Sequence, residues 1–160
     1  MLYGVSDSLS PAIGYNWGAQ NYDRVKRIVR CGYVGTGVIG LLSTAFLFFC
    51  PELVAAFFVN ASDEMLLAES ARAIRLFCIT YLFRWFAVTT QGFLSAIEKP
   101  VQATVVSVST ALVFPVIVLV ALWFLGLDGI WLNFTVVNFL SALLSLVLLW
   151  RVLREIRKKA

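Results

Sequence analysis

Long apolar stretches alternate with short polar connections along most of the chain. A helix needs about 20 apolar residues to cross a bilayer. The pattern therefore predicts four transmembrane helices, at about 28–50, 74–97, 101–125 and 130–150. The apolar piece within 51–62 is too short to cross. Tight turns are predicted at 98–100 and 126–129, where charged residues, glycine and proline interrupt the apolar pattern.

Composition supports a membrane protein and excludes several other classes. The chain has 160 residues, of which 61% are hydrophobic and 14% are charged. Soluble domains carry about 25% charged residues, and disordered chains carry more polar residues than this one. Three cysteines, an odd number, do not form a disulfide framework. We therefore predict an all-α, polytopic membrane helix bundle.

The sequence offers little for catalysis or metal binding. Histidine is absent, and no paired carboxylates or activated serine or cysteine are visible. The cysteines lie in or beside apolar runs with no spacing typical of a metal site. We therefore predict no enzyme, no catalytic residue and no metal site.

Basic residues are distributed unevenly between the predicted connections. Ten of them lie before the first span, between the second and third, or after the fourth, whereas Arg72 and Arg75 lie on the other side. The positive-inside rule then places the N-terminal loop, the 98–100 turn and the C-terminus in the cytoplasm. The same placement makes nucleic acid an unlikely partner, and makes the lipid bilayer the expected one.

A polar stripe runs along the second predicted span. At about 100° per residue, four polar side chains fall within roughly 60° of one another: Thr80, Arg84, Gln91 and Ser95. A charge at membrane depth is costly, so Arg84 is expected to face water or a partner inside the bundle. One interpretation is that Arg84 and Gln91 line a transport cavity. The other is that Arg84 pairs with a carboxylate or helix-end carbonyls and locks the bundle.

Three further features of the spans suggest packing or movement. Small residues recur every four positions from Gly32 to Thr44, which favours packing against a neighbouring helix or, alternatively, a dimer seam. In the fourth span, Asn138, Ser141 and Ser145 share a face and predict interhelical hydrogen bonds. Pro115 bends the third span, either as a hinge or as a static kink.

Asp7 is the one candidate carboxylate for ion coupling. The second, third and fourth spans contain no Asp or Glu, although an acid is the usual group that binds a coupling cation or proton in a membrane. If the helix around Asp7 begins further upstream, its carboxylate lies several turns inside the membrane. If the helix begins at Met1, Asp7 faces water.

Residues 4–21 contain a motif of six residues: Pro11, Gly14, Asn16, Gly18, Ala19 and Asn21. This motif strongly resembles that of multidrug and toxin extrusion (MATE) transporters. The segment from Gln91 to Pro100 resembles the turn before the eleventh helix of that family, and 126–131 is similar to its turn before the last helix. We interpret the first motif as architecture at the cytoplasmic junction: Gly14 and Gly18 for the exit, and the asparagines for free helix-end groups.

The resemblance implies a fold of twelve helices in two lobes. Residues 1–17 would then be the end of helix eight, a partial helix, and the four spans would be helices nine to twelve of the C-terminal lobe. Residues 1–160 would form part of that lobe, and the N-terminal lobe would be a missing partner. The resemblance also implies an inner-membrane location with a cytoplasmic C-terminus.

The function implied by the resemblance is antiport. The chain would be part of a sodium- or proton-coupled exporter of drugs or small organic cations that works by alternating access, without a cofactor. Two alternatives stay open. One is a lipid-linked polysaccharide flippase of related architecture, which more basic residues along the cavity would favour. The other is a stand-alone four-helix membrane scaffold or regulatory protein.

Overall fold

The computed structural model describes residues 2–59 and 64–159, with side chains as far as Arg154. Eight α-helices follow one another in these ranges: α1 Leu2–Gly18, α2 Tyr22–Phe49, α3 Pro51–Ala56, α4 Glu64–Cys78, α5 Tyr81–Ala96, α6 Pro100–Val108, α7 Phe114–Ala121 and α8 Gly126–Lys159. Within the described ranges there is no strand. The protein is an all-α membrane helix bundle, as the hydropathy pattern predicts.

Three helical stretches are long and apolar enough to cross a membrane: Tyr22–Phe49, Pro100–Ala121 and Trp123–Arg154. They correspond to the first, third and fourth predicted spans. Their apolar side chains are largely exposed, including Leu41, Leu42 and Val120. In a bilayer, lipid tails cover such surfaces, so their exposure agrees with the membrane assignment.

The second predicted span, 74–97, is not one continuous helix. It is divided between α4 and α5 by a turn at Ile79 and Thr80. Hydroxyl groups from other helices hold backbone carbonyls just before this turn: Thr135 donates to the Leu76 carbonyl at 3.2 Å, and Thr44 donates to the Cys78 carbonyl at 3.4 Å. A helix break inside a membrane is tolerated where other helices supply such partners. Hydropathy alone does not reveal them.

The turn that we predicted at 126–129 occurs a few residues earlier, before α8 begins. A single 3₁₀ turn, Trp123–Leu125, precedes Gly126, whose φ is +59°. Glycine adopts positive φ without steric cost, so the chain reverses there. Helix α8 then begins at Gly126 and continues through the basic tail to Lys159.

The predicted bend around Pro115 takes the form of a wide helical turn. Helices α6 and α7 are joined by one π-helical turn, Ser109–Val113, in which the Phe114 N–H bonds the Ser109 carbonyl five residues back. Proline removes one backbone donor and crowds the preceding turn. Widening the helix before Pro115 relieves both effects, and helical backbone continues from Pro100 to Ala121.

Helix α5 lies at the centre of the bundle. It contacts α1 and α2 on one side, and α6 and α8 on the other. Among the described helices, α1 contacts α2, and α6 contacts α8, but α1 and α6 do not touch. One strip of α5 is therefore left uncovered between α1 and α6. We call the space over this strip, between the flanking helices α1 and α6, the α1–α6 gap.

Close packing of α2 on α5 uses the small residues of α2. The Thr36 and Thr89 hydroxyls lie 2.8 Å apart, and Tyr33 Oη lies 2.7 Å from Thr90 Oγ1. A Cβ at Gly40 would come within 2.9 Å of the Trp85 ring. The small-residue stripe thus packs against a neighbouring helix of the same chain.

Helix α8 packs on the π-helical turn that follows α6 through part of its predicted polar face. The Thr110 hydroxyl donates to Ser141 Oγ at 2.8 Å. Asn138 uses its amide nitrogen within α8, where it bonds the Phe134 carbonyl. Asn138 Oδ1 and Ser145 Oγ have no partner among the described residues. Ser141 therefore makes the predicted interhelical bond, whereas Asn138 and Ser145 do not.

Charged residues are sorted to the two ends of the bundle. The basic end carries the start of α2 and the end of α8, with Arg24, Arg27, Arg30, Arg151 and Arg154. The acidic end carries α3, α4 and the start of α8. Its described charges are Glu52, Glu64, Glu69, Arg72, Arg75 and Asp128.

Candidate functional site

The polar residues of α5 form the candidate site, because they lie on the strip that the bundle leaves uncovered. Arg84, Gln91 and Ser95 are spaced by seven and four residues, so they share one face of α5. The positions between them face other helices: the Val88 carbonyl accepts a bond from Ser6 of α1 at 3.4 Å. Arg84 and Gln91 are half-buried, and Ser95 is exposed.

Arg84 reaches across to the first helix. Its guanidinium donates to Tyr3 Oη at 3.4 Å and lies 5.7 Å from the centre of the Tyr3 ring. Both residues line a groove of about 410 Å³ that also includes Ser43 of α2 and Tyr81. Among the described residues, Arg84 has no carboxylate within ion-pair distance. The interaction that it makes is a cation–π contact with a long hydrogen bond, which leaves its charge largely available.

Gln91 and Ser95 lie in a second groove, between α5 and α6. This groove of about 250 Å³ is also lined by Thr104 and Ser107 of α6. Four polar side chains therefore face the same space, and none of them is charged. The structure brings Gln91 and Ser95 together, whereas Arg84 lines a different groove, formed by α5 with α1 and α2.

Thr80 lies at the start of the stripe but lines neither groove. It precedes α5 at the turn after α4 and is buried, with its hydroxyl 3.3 Å from that of Thr135 in α8. The Arg84 N–H bonds the Thr80 carbonyl at 3.0 Å, so the two residues keep the helical spacing that the projection assumed. Thr80 is better described as a residue that ties the helix break to α8.

Asp7 lies on the gap side of α1. It follows Tyr3 by four residues and precedes Gly14 by seven, so all three share a face. Tyr3 contacts Arg84, and a Cβ at Gly14 would lie 3.4 Å from the Ala96 carbonyl of α5. The Asp7 side chain is exposed, and it forms no ion pair among the described residues. Asp7 and Arg84 thus flank the same gap as separate, opposite charges.

The motif residues shape the end of α1 and the start of α2. Pro11 lies inside α1 without ending it, and Asn16 is buried, with its amide bonded to the Ala12 carbonyl at 2.7 Å. The helix ends at Gly18, and the positive φ of the exit, 57°, occurs at Gln20.

The rest of the turn is held by backbone bonds. The Ala19 N–H bonds the Tyr15 carbonyl at 3.1 Å, and the Asn21 N–H bonds the Asn16 carbonyl at 2.9 Å. The Asn21 side chain makes no capping bond to α2. We expected Gly14 and Gly18 to allow a sharp exit and close backbone approach, and the two asparagines to bond free helix-end groups. Gly14 and Asn16 serve packing and helix-end bonding, whereas Gln20 takes the strained position.

Tyr3 is a site residue that sequence reasoning missed. In the sequence, Tyr3 could have been found from its position four residues before Asp7. This spacing places both side chains on the face of α1 that borders the gap. Its contact with Arg84 depends on how α1 packs against α5, which periodicity within one helix does not reveal.

Comparisons with known proteins agree with this architecture. A family profile described as MatE matches residues 1–121. No curated protein matches the chain. The fold is similar to a solved structure of the outward-facing conformation of a multidrug resistance MATE family transporter of the MOP superfamily, with a TM-score of 0.88 and 17% sequence identity. The similarity covers 98% of this chain and 36% of that transporter's chain, so the protein described here spans about a third of its length.

Proposed function

Because the chain belongs to the MATE family, whose members are membrane transporters and not enzymes, we propose that it forms part of an antiporter. This antiporter exports drugs or small organic cations in exchange for sodium ions or protons. Alternating access of two lobes around a central cavity is the mechanism, with the N-terminal lobe as partner of the lobe that contains this chain.

The α1–α6 gap is the observation that carries the proposal. It lies over a strip of polar side chains on α5 that carries the Arg84 guanidinium and is bordered by the Asp7 carboxylate of α1, and the two charges form no ion pair with each other. Charges in a membrane bundle normally face a cavity or a partner, since exposure to lipid is costly. We place the substrate path along this gap, opposite the N-terminal lobe.

Within the gap, the two charges have different roles. Asp7 attracts a cation or takes up a proton, which is the chemistry that coupling requires. Arg84, which contacts Tyr3 one helical turn before Asp7 in α1, supplies the countercharge when no cation is bound. Four neutral side chains of the α5–α6 groove can form hydrogen bonds with charged and uncharged substrates alike: Gln91, Ser95, Thr104 and Ser107.

Efflux of ethidium by the full natural protein in proteoliposomes tests this function. An imposed proton or sodium gradient is applied in separate experiments, and the gradient that drives efflux identifies the coupling ion. We expect D7N to abolish gradient-driven efflux. We expect Q91A to lower it about tenfold, as loss of a positioning contact does. Gln102 of α6 lies outside the lining of the α5–α6 groove, so Q102A is the matched control and should retain efflux.

The outcome also separates the alternatives. A flippase would move a fluorescent lipid-linked saccharide and depend on Arg84 more than on Asp7. A scaffold or regulatory protein would give no ion-driven movement of either compound. Wild-type efflux by D7N would remove Asp7 from the mechanism.

A further inference from the structure

A second cavity opens at the acidic end of the bundle, on the side of α5 away from the α1–α6 gap. It has a volume of about 470 Å³ and lies between α3, α4 and the start of α8. Small-molecule sites typically measure about 300–1,000 Å³. None of the residues that line it belongs to the two grooves of the gap. We call it the α4–α8 pocket.

The lining of the α4–α8 pocket combines aromatic rings with one acid. Phe58, Phe77 and Trp131 contribute the rings, and Glu69 contributes the carboxylate. Apart from Glu69 and Ser70, the lining side chains are apolar. A cation over an aromatic face is attracted by the ring, and a carboxylate alongside adds a countercharge.

Ion pairs at the rim leave Glu69 as the unbalanced charge. Arg72 binds Asp128 at 2.7 Å and thereby joins α4 to α8. Arg75 binds Glu52 at 3.5 Å and joins α4 to α3. Both arginines of this end are therefore occupied by other acids. Glu69 has no ion-pair partner among the described residues, so the pocket carries a net negative charge.

The rings are held in different ways. Phe77 packs edge-on against Tyr81 and Phe134, with ring centres 6.0 and 5.4 Å apart, which fixes its orientation at the inner wall. Phe58 follows the short helix α3 and is 86% exposed at the rim. A ligand in the pocket would cover this ring, and removing apolar surface from water favours binding.

We propose that the α4–α8 pocket binds a lipophilic organic cation, with Glu69 as the countercharge and Phe58, Phe77 and Trp131 as the aromatic surface. The site is separate from the α1–α6 gap, and it does not depend on the export function proposed above. A phospholipid tail fits the apolar walls but leaves Glu69 without a partner, and a phosphate headgroup is repelled by it. The charge therefore favours a cation as the occupant.

Photolabelling of the full natural protein in nanodiscs tests the proposal without an ion gradient. The probe is a photoreactive tetraarylphosphonium, and the matched probe is a neutral tetraarylmethane of the same shape. Mass spectrometry identifies the labelled peptides. We expect phosphonium labelling within 64–78 and near Trp131, and about fivefold less labelling there in E69Q, in line with the loss of a partly exposed charge contact.

A second substitution in the same helix provides the control. Glu64 carries the same charge at the start of α4 but does not line the pocket, so E64Q should label as strongly as the wild type. Equal labelling of E69Q and the wild type would overturn the proposal. Equal labelling by the neutral probe would also overturn it and would indicate a lipid-tail pocket. Failure of ethidium efflux with intact labelling would reject only the export function.

Discussion

Gly92 determines how closely α1 approaches α5. A Cβ at this position would overlap Ser6 Oγ, whereas the Ser6 backbone and Cβ lie further away. Ser6 is also buried and bonds the Val88 carbonyl of α5. The contact therefore depends on the absence of one side chain and the orientation of another, which is typical of small-residue packing in membranes.

We expect G92A to destabilise the protein by about 1–3 kcal/mol, the usual cost of overpacking a tight contact. Removing the Ser6 hydroxyl should relieve the overlap, so S6A/G92A should recover much of the loss. The measurement is the fraction of monodisperse protein that remains after heating in detergent. Gly35 has no neighbour within 4 Å of an added Cβ, so G35A is the control. A G92A variant as stable as G35A would contradict the close approach.

At the scale of helices, the sequence predicted how many apolar segments there are better than it predicted where the helices break. Three of the four predicted spans are helices long enough to cross a membrane. The break at Thr80 escaped prediction because it depends on Thr44 and Thr135, which belong to distant parts of the chain. The chain reverses a few residues before the centre of the predicted turn at 126–129. The sequence offers two glycines there, and the structure gives a positive φ to Gly126 and not to Gly129.

The candidate site was predicted to a similar extent. Helical periodicity places Arg84, Gln91 and Ser95 on one face of α5, and the structure divides them between two grooves. Periodicity gave no sign that the Thr80 hydroxyl faces Thr135 of α8 or that Arg84 contacts Tyr3. Contacts within a helix follow from residue spacing, whereas contacts between helices depend on packing that a single sequence does not display.

The π-helical turn before Pro115 makes a prediction about movement in α6 and α7. In P115A, the restored N–H can bond the Ala111 carbonyl in a regular helix, so the wide turn is expected to close. Amide hydrogen exchange of 109–115 should become slower, as measured by mass spectrometry. Pro100 stands at the first position of α6, where proline removes no helical bond. P100A should therefore leave exchange in this segment unchanged.

Transport by P115A then distinguishes a hinge from a static kink. If the wide turn bends during alternating access, slower exchange should accompany a lower maximal rate of ethidium efflux. Slower exchange with an unchanged rate would identify the bend as static. Exchange that is as fast as in the wild type would contradict the assignment of the π turn to Pro115.

At the scale of the whole molecule, the sorting of charge is the feature that connects sequence, fold and membrane. Exposed arginines at the start of α2 and the end of α8 lie at the basic end, although about 120 residues separate them in the sequence. The two arginines of the acidic end are paired with acids. An excess of Lys and Arg in the connections marks the cytoplasmic side of a membrane protein. The same asymmetry leaves Glu69 free to act at the opposite end.

This asymmetry predicts the orientation of the chain in its membrane, with the basic end in the cytoplasm. In a variant with Cys31, Cys50 and Cys78 replaced by serine, single cysteines are placed at Leu127 of the acidic end or Arg24 of the basic end; both positions are exposed. A membrane-impermeant maleimide should label L127C in intact cells and R24C only after permeabilisation. The reverse pattern would place the α4–α8 pocket in the cytoplasm. In the alternating-access cycle proposed above, the gap opens to both sides of the membrane, so the orientation decides whether the α4–α8 pocket lies on the side of substrate entry or of release.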